Sequence, residues 1–464
     1  MTALRERPGG RGLPAGDAAA LARLGVEPGS GGPQTLIAQA TAVVAALAAM
    51  FGALYYAVSA AEDALEVIGH SSGPQVVATT ELYYALSDAD SQVATALLVG
   101  GSDPDRAEAA MDRYEQRRGD IAAALLEAHR LAGSAEAERR TIESVMSRWG
   151  EYQQLAAVAL LLARDGGYAS GGPPENVLEA YREAAELMSG RILPQAYNLT
   201  LENATIVRES YDAASGRIDA GLVAVALTGV AALALLVALQ VFLARGFRRV
   251  FNPSLVVATA VAVLYLFTGL TVLDTEREAL DEAKLDGFDA VLSLERAQAI
   301  SNGLHADRVR FLLDAGEADV YEQTYFDKAQ QLVYLEAVSL PRYQDALAET
   351  GRGGELTGLV GDGLDGSGES ERLVEAYTAL ILADAAMREE GGGPSERLAL
   401  VEGARAEYED ALDELSDRHL ERFESAVAAG EDAIAGFAFL LVAAMVSLGV
   451  FTFSGIAPRL REYR

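Results

Sequence analysis

The sequence predicts an all-α membrane protein in which four transmembrane helices carry two tandem extracytoplasmic antiparallel four-helix bundles, arranged as an internal repeat. Three observations predict it. Four apolar runs occur at 36–60, 220–244, 254–273 and 433–453, each about the length of a bilayer span, and no Asp, Glu, Lys or Arg interrupts them. Between them lie two acidic segments of equal length, 61–219 and 274–432. The remaining pieces are short and basic. Half of the 464 residues are apolar and mean hydropathy is +0.13, too greasy for an ordinary acidic soluble protein and too charged for one buried wholly in lipid.

Taken in chain order, residues 1–35 form a Gly/Pro-rich tail around "GDAAALARLGV", in which Asp17 can cap a short helix with Leu21 and Leu24 on one face. The first run, 36–60, is long for a signal-peptide core and is followed by "SAAEDALEV", so it reads as a retained span. Next comes "GHSSG" at 69–73. It matches the G-x-S-x-G nucleophile elbow, but the preceding "AEDALEVI" is helical rather than a strand and Pro74 follows at once. A flexible joint above the first span is the expectation there.

Both acidic segments read as helices separated by Gly, Pro and Ser clusters: "GGSDPD" at 100–105, "GGYASGGPPE" at 166–175, 351–370, and "EEGGGPSE" at 389–396, with further divisions near Gly133 and Gly316. That gives about four helices per segment. The face made by Leu398, Val401, Tyr408, Leu412, Leu415 and Phe423 has helical period, and the opposite face is mostly charged. From Leu398 through Phe453 no proline breaks the pattern, and a similar rod leaves the third span from Thr271 toward Ala315. A helix that runs from loop to membrane can carry a push.

Orientation follows from charge. The pieces 1–35, 245–253 and 454–464 hold ten of the 37 Lys and Arg but only four of the 68 acids. By the positive-inside rule these pieces are cytoplasmic and both long segments extracytoplasmic. "LARGFRRVFNPS" then becomes a cytoplasmic hairpin whose Arg245, Arg248 and Arg249 meet lipid phosphates or a docking partner, with Pro253 opening the third span. The short cytoplasmic pieces are too small for a kinase or cyclase core, so any action inside is exerted on a partner.

Chemistry is sparse. There is no cysteine, only two lysines stand against 35 arginines, no phosphate-binding Gly-Lys loop occurs, and the four histidines are scattered. No catalytic residue, metal or cofactor is expected. The two long segments together hold 27 basic and 64 acidic residues, a field that repels nucleic acid. Against it, Arg308 and Arg310 in "HADRVRF", and Arg113 and Arg117 in "DRYEQRRGD", are the candidate contacts for an anionic ligand or a partner. Trp149 is expected in a core.

Span, helical segment, span resembles the membrane-anchored four-helix-bundle sensors of bacterial chemoreceptors and sensor kinases. The doubled layout, with its Gly/Pro-rich tail, short Arg hairpin and basic end, resembles the actinobacterial GlnX-type membrane signalling proteins. That resemblance implies a relay from an extracytoplasmic binding lipoprotein (GlnH-like) that senses acidic amino acids to a cytoplasmic Ser/Thr kinase (PknG-like). An oligomer is compatible with the layout. The competing expectation is a structural or permease-like accessory subunit of an envelope or transport complex. The lack of charge within the four runs weighs against a conduction path.

Overall fold

The computed structural model describes residues 33–166, 168, 172–247, 252–350 and 356–462. The described residues are 92% helical and include no strand, the one extended pairing among them being an isolated bridge between Tyr334 and Thr357. In order the helices are α1 (Pro33–Glu66), α2 (Ser72–Val99), α3 (Pro104–Leu131), α4 (Glu136–Gly166), α5 (Glu175–Leu187), α6 (Leu193–Phe247), α7 (Pro253–Asp281), α8 (Asp289–Leu313), α9 (Ala318–Leu332), α10 (Leu340–Thr350), α11 (Leu359–Asp362), α12 (Gly368–Glu389) and α13 (Pro394–Glu462). Among the described residues the expected breaks near 100–105, 389–396, Gly133 and Gly316 fall between helices, whereas 351–370 contains α11 and the start of α12; residues 167, 169–171 and 351–355 of the expected breaks lie outside the described ones. The breaks have local causes: Asp103 caps α3 by accepting from the Arg106 amide at 3.2 Å with Pro104 at the first helical position, and Gly100 and Gly133 take positive φ at helix ends.

Three junctions are π-helical and do not break the path: Val67–Ser71 joins α1 to α2, Met188–Ile192 joins α5 to α6, and Glu282–Phe288 joins α7 to α8. The "GHSSG" stretch lies on the first of these. It is therefore part of a continuous helical path, not a loop between helices, and no strand precedes it. The glycines serve close approach instead. A Cβ on Gly73 would collide with the Ile68 carbonyl that the wide π turn brings in, and one on Gly69 would meet Val427. In the third π segment Gly287 sits in the same way against Phe423, four residues along α13 from Val427.

The helices form two compact units. Among the described residues, one comprises 33–57, 219–247, 252–274 and 435–462. Its interior is Leu36, Val43, Leu236, Leu239, Leu255, Ala258 and Leu448, and Gly229 and Gly269 let Leu266 and Leu54 approach the helix backbones closely. Asn252 caps α7 through its carbonyl and donates from its side chain to the Gly455 carbonyl at 2.9 Å, while Gln240 donates to Thr259 at 2.7 Å. The outer surface is apolar: Leu227, Val230, Leu264, Phe267 and Phe453 are all more than 60% exposed, a surface suited to a membrane protein. Three helical stretches, Gln34–Val99, Glu175–Ala244 and Pro253–Leu313, are long and apolar enough to cross a membrane, and a shorter apolar stretch, Val442–Ala457, lies in α13. They contain the first three expected spans. The fourth, 433–453, includes residues 434–441, whose side chains lie outside the described ones.

The other unit joins Val58–Ile218 and Thr275–Ile434. Here the two acidic segments pack side by side as one body whose described residues include two large apolar cores and a small cluster of Ala283, Ala426 and Val427. The first is built on Leu86, Val93, Tyr114, Ile142, Trp149, Tyr152 and Tyr181, with Trp149 stacked on Tyr152 at 5.2 Å as a core residue. The second is built on Leu304, Tyr325, Tyr343, Tyr377, Val401, Tyr408, Leu412 and Leu415. The periodic face read along α13 is thus buried, except that Phe423 is only half covered.

Candidate functional site

The seam between the two segments is made where α2 packs along α8. Both helices bury polar faces there. Ser87, Asp88, Asp90, Ser91, Gln92 and Thr95 on α2 are buried, as are Asn302, His305, Asp307, Arg308 and Arg310 on α8 and Asp314 just past its end. Charge this deep persists only when it is paired. Arg310, 6% exposed, donates to Asp90, to Asp307 at 2.9 Å and to the Tyr181 hydroxyl at 3.1 Å. Asp90 also accepts from Tyr152 at 2.9 Å. Arg308, 1% exposed, donates to Asp384 at 2.7 Å, and Arg388 reaches the other oxygen of that carboxylate. Arg182 closes a bidentate pair on Asp314 at 2.7 and 2.9 Å. Asp90 with Arg310 and Arg182 with Asp314 each tie one segment to the other.

These contacts relocate two expected ligand groups. Arg308 and Arg310 are enclosed within the protein and held by its own carboxylates, so neither presents a free guanidinium to solvent. Arg117 is likewise engaged: it donates to Asp88 at 2.6 Å, to Asp120 at 2.9 Å and to Tyr84 at 2.9 Å. Burial pushes the Asp88 carboxyl up, but the bond from Arg117 and the charges of Arg405 and Arg117 outweigh it and hold it below its ordinary value. Arg113 differs. It is exposed and has no hydrogen-bond or ion-pair partner among the described residues.

Arg113 lines a cleft of about 440 Å³ at the edge of the seam. Helix periodicity explains the walls. On α3, Arg106, Ala109, Ala110 and Arg113 share one face, and on α13 Leu398, Glu402, Arg405, Ala406 and Glu409 do the same. The three alanines leave the space. Gln92 and Thr95 of α2 and His305 of α8 close the back. Arg106 donates to Glu402 at 3.0 Å and to the Ser395 carbonyl at 2.7 Å, while Ser395 donates to Asp103 at 2.7 Å, so the start of α3 is latched to the start of α13. Arg405 pairs with Glu409 at 2.6 Å.

His305 is 5% exposed. Burial, reinforced by the charges of Arg405, Arg308 and Arg113, pushes its pKa well below the usual imidazole range, so the ring is neutral at physiological pH. Its Nδ1 lies 3.4 Å from Nη1 of Arg308, which has only protons to offer, so Nδ1 accepts and Nε2 carries the ring hydrogen. The cleft thus offers a cation, a neutral donor, a carboxamide and an apolar flank.

The sequence pointed to Arg113 but not to Gln92, Arg106, His305, Glu402, Arg405 or Glu409. The signal for Gln92 was present in "LSDADSQVATALLV", a polar cluster inside an apolar helix, which marks a buried polar seam. Of the expected cytoplasmic docking residues, Leu21, Leu24, Arg248 and Arg249 lie outside the described residues. Arg245 lies in the last turns of α6, but its side chain is also outside them. No group of His, Asp and Glu suited to holding a metal occurs among the described residues.

No curated protein and no solved structure matches the chain. Residues 64–212 match the family model described as an actinobacterial sensor domain, a stretch that contains α2 through α5 and with them Asp90, Gln92, Arg106 and Arg113. The match supports an actinobacterial sensor protein with a sensing role.

Proposed function

We propose that this chain is a non-catalytic transmembrane signal transducer of the GlnX type, relaying an extracytoplasmic signal to a cytoplasmic regulator such as a Ser/Thr kinase. The observation that carries the reading is the sensor-domain match over 64–212, which supplies the α2 and α3 walls of the cleft, opposite a helix that is unbroken from Pro394 to Glu462. Four spans, cytoplasmic termini and two copies of one extracytoplasmic unit belong to the same proposal. The copy reading is supported by the π segments: Val67–Ser71 and Glu282–Phe288 fall at nearly the spacing that sets "SQVATALLVGGSD" from Ser91 beside "DRVRFLLDAGEAD" from Asp307.

The mechanism rests on the polar seam. Buried ion pairs are directional and have few alternative packings, so an event that favours one packing of α2 on α8 moves the helices as rods rather than by gradual deformation. A displacement imposed on α13 at the cleft is carried along its own length. Inside, the tail with Leu21 and Leu24 and the turn with Arg245, Arg248 and Arg249 provide the docking surface, and a GlnH-like binding protein and a PknG-like kinase are the partners this reading names.

The test is partner capture by crosslinking in the native membrane. Deletion of residues 1–30, and separately Arg245→Ala with Arg248→Ala and Arg249→Ala, should each reduce capture of a cytoplasmic kinase while membrane insertion is retained. An unchanged cytoplasmic partner set in both variants would sink the docking scheme.

A further inference from the structure

We propose that the cleft between α3 and α13 binds a small organic acid through a single carboxylate, with Arg113 as its anchor. The proposal deepens the sensing role and rests on it. Its first support is charge. Arg106 and Glu402 neutralise each other across the cleft, as do Arg405 and Glu409 along α13. That leaves Arg113 as the one cation on the wall without a counter-ion among the described residues. In a region with 64 acids to 27 bases, an unspent arginine beside two spent ones is a local attraction for an anion.

Shape and donors narrow the class. The guanidinium fork matches a carboxylate with two parallel hydrogen bonds. His305 and Gln92, each about 95% buried, line the back; His305 adds a neutral N–H, and the Gln92 amide, which already donates one hydrogen to Asp88 at 2.8 Å, has its second hydrogen and its carbonyl oxygen left. His305 keeps Nε2–H because Arg308 occupies Nδ1. The Thr95 hydroxyl donates to the Ser91 carbonyl and so has only acceptor capacity left for the cleft. Leu398, Ala109, Ala110 and Ala406 give the rest of the wall an apolar character that suits a carbon skeleton, and the volume falls in the range of metabolite sites. A phosphate dianion fits worse. Its second charge would face Glu402 and Glu409 with no further cation to meet it.

The cleft also explains how binding is felt. Its walls come from α2 and α3 of the first segment and from α8 and α13 of the second, so an occupant bridges the two and favours the seam in which both walls are in place.

The test uses the full chain in lipid nanodiscs, titrated at constant ionic strength with acetate, lactate and benzoate, and in parallel with inorganic phosphate. Binding is read by calorimetry and by the thermal midpoint. At least one of the three acids should bind saturably. Arg113→Gln should weaken that binding about tenfold or more, because a truncated charge-assisted pair is worth well over a factor of ten. Arg118→Gln, which removes an exposed arginine paired to Glu115 outside the cleft, should leave it unchanged. Arg113 is exposed, so its loss spares the fold, and an unaltered melting midpoint without ligand verifies this. Absence of saturable binding by all three acids, equal affinity in Arg113→Gln, or tighter binding of phosphate would each overturn the proposal. The binding assay contains no cytoplasmic partner. Lost partner capture with binding intact therefore counts against the relay alone, and lost binding with capture intact counts against this site alone.

Discussion

Arg310→Met tests whether the polar seam holds the two acidic segments together. Asp90 is 1% exposed and has two partners, the Arg310 guanidinium and the Tyr152 hydroxyl at 2.9 Å. Removing Arg310 leaves a buried carboxylate with one neutral donor, and breaking a buried pair in this way costs about 3–5 kcal/mol. Asp307 loses a 2.9 Å bond as well but keeps Lys328, so most of the penalty falls on Asp90. In a body this large 1 kcal/mol moves the midpoint by about 2 °C, so the drop should be roughly 6–10 °C in helical circular dichroism of the solubilised protein. The double variant Asp90→Asn with Arg310→Met removes both charges. It should lie at least about 1.5 kcal/mol above the sum of the two single effects, because neither partner is then stranded. A midpoint within 1 °C of the parent for Arg310→Met, or strict additivity in the double variant, would refute the claim that this pair joins the segments.

Three further outcomes follow. Gly73→Ala should destabilise by about 2 kcal/mol, since the new methyl meets the Ile68 carbonyl inside the π turn, whereas Gly119→Ala, with open space around it on α3, should stabilise by about 0.5–1 kcal/mol; paired melting curves check both. Asp365 is pushed up by burial, but bonds from Ser367, Ser370 and Arg422 outweigh this and hold its carboxyl well below the usual range. A depressed pKa supplies stability that is present above the unfolded value near 4 and lost as pH falls below it, so Asp365→Asn should flatten the acid limb of the pH–stability profile and leave its shape above pH 6 unchanged. Arg182→Gln should behave as a milder version of Arg310→Met, by about 1–3 kcal/mol, because its pair with Asp314 is partly open to solvent; a loss as large as that of Arg310→Met would contradict the ranking by burial.

The fold class and the helix breaks were legible because their causes are local. Apolar runs, Gly/Pro clusters and helical periodicity act over a few turns, and Pro104, Pro253 and Pro394 each open a helix where they stand. The glycines at 69–73 misled for a related reason. A flexible joint and a glycine required for close packing share one composition, and only the neighbours Ile68 and Val427 distinguish them. Arg308 and Arg310 had the appearance of ligand groups because their counter-ions are remote in sequence: Asp384 and Asp90 stand on other helices, the second in the other segment. Arg113 and Arg117 share a helix face, yet one turns to Asp88 and the other to the cleft, a difference set by what packs beside each.

By itself the sequence determined an all-helical chain with apolar helices long enough to cross a membrane and acidic helical segments between them. Tertiary structure alone decided that the two acidic segments share a buried ionic seam, that three of their helix junctions are π turns, and that a cleft opens where two alanines of α3 face one of α13. The physical reason is range. Helix formation and span length depend on neighbours a few residues apart, whereas pairing a buried charge and leaving a space unfilled depend on groups brought together by the whole packing.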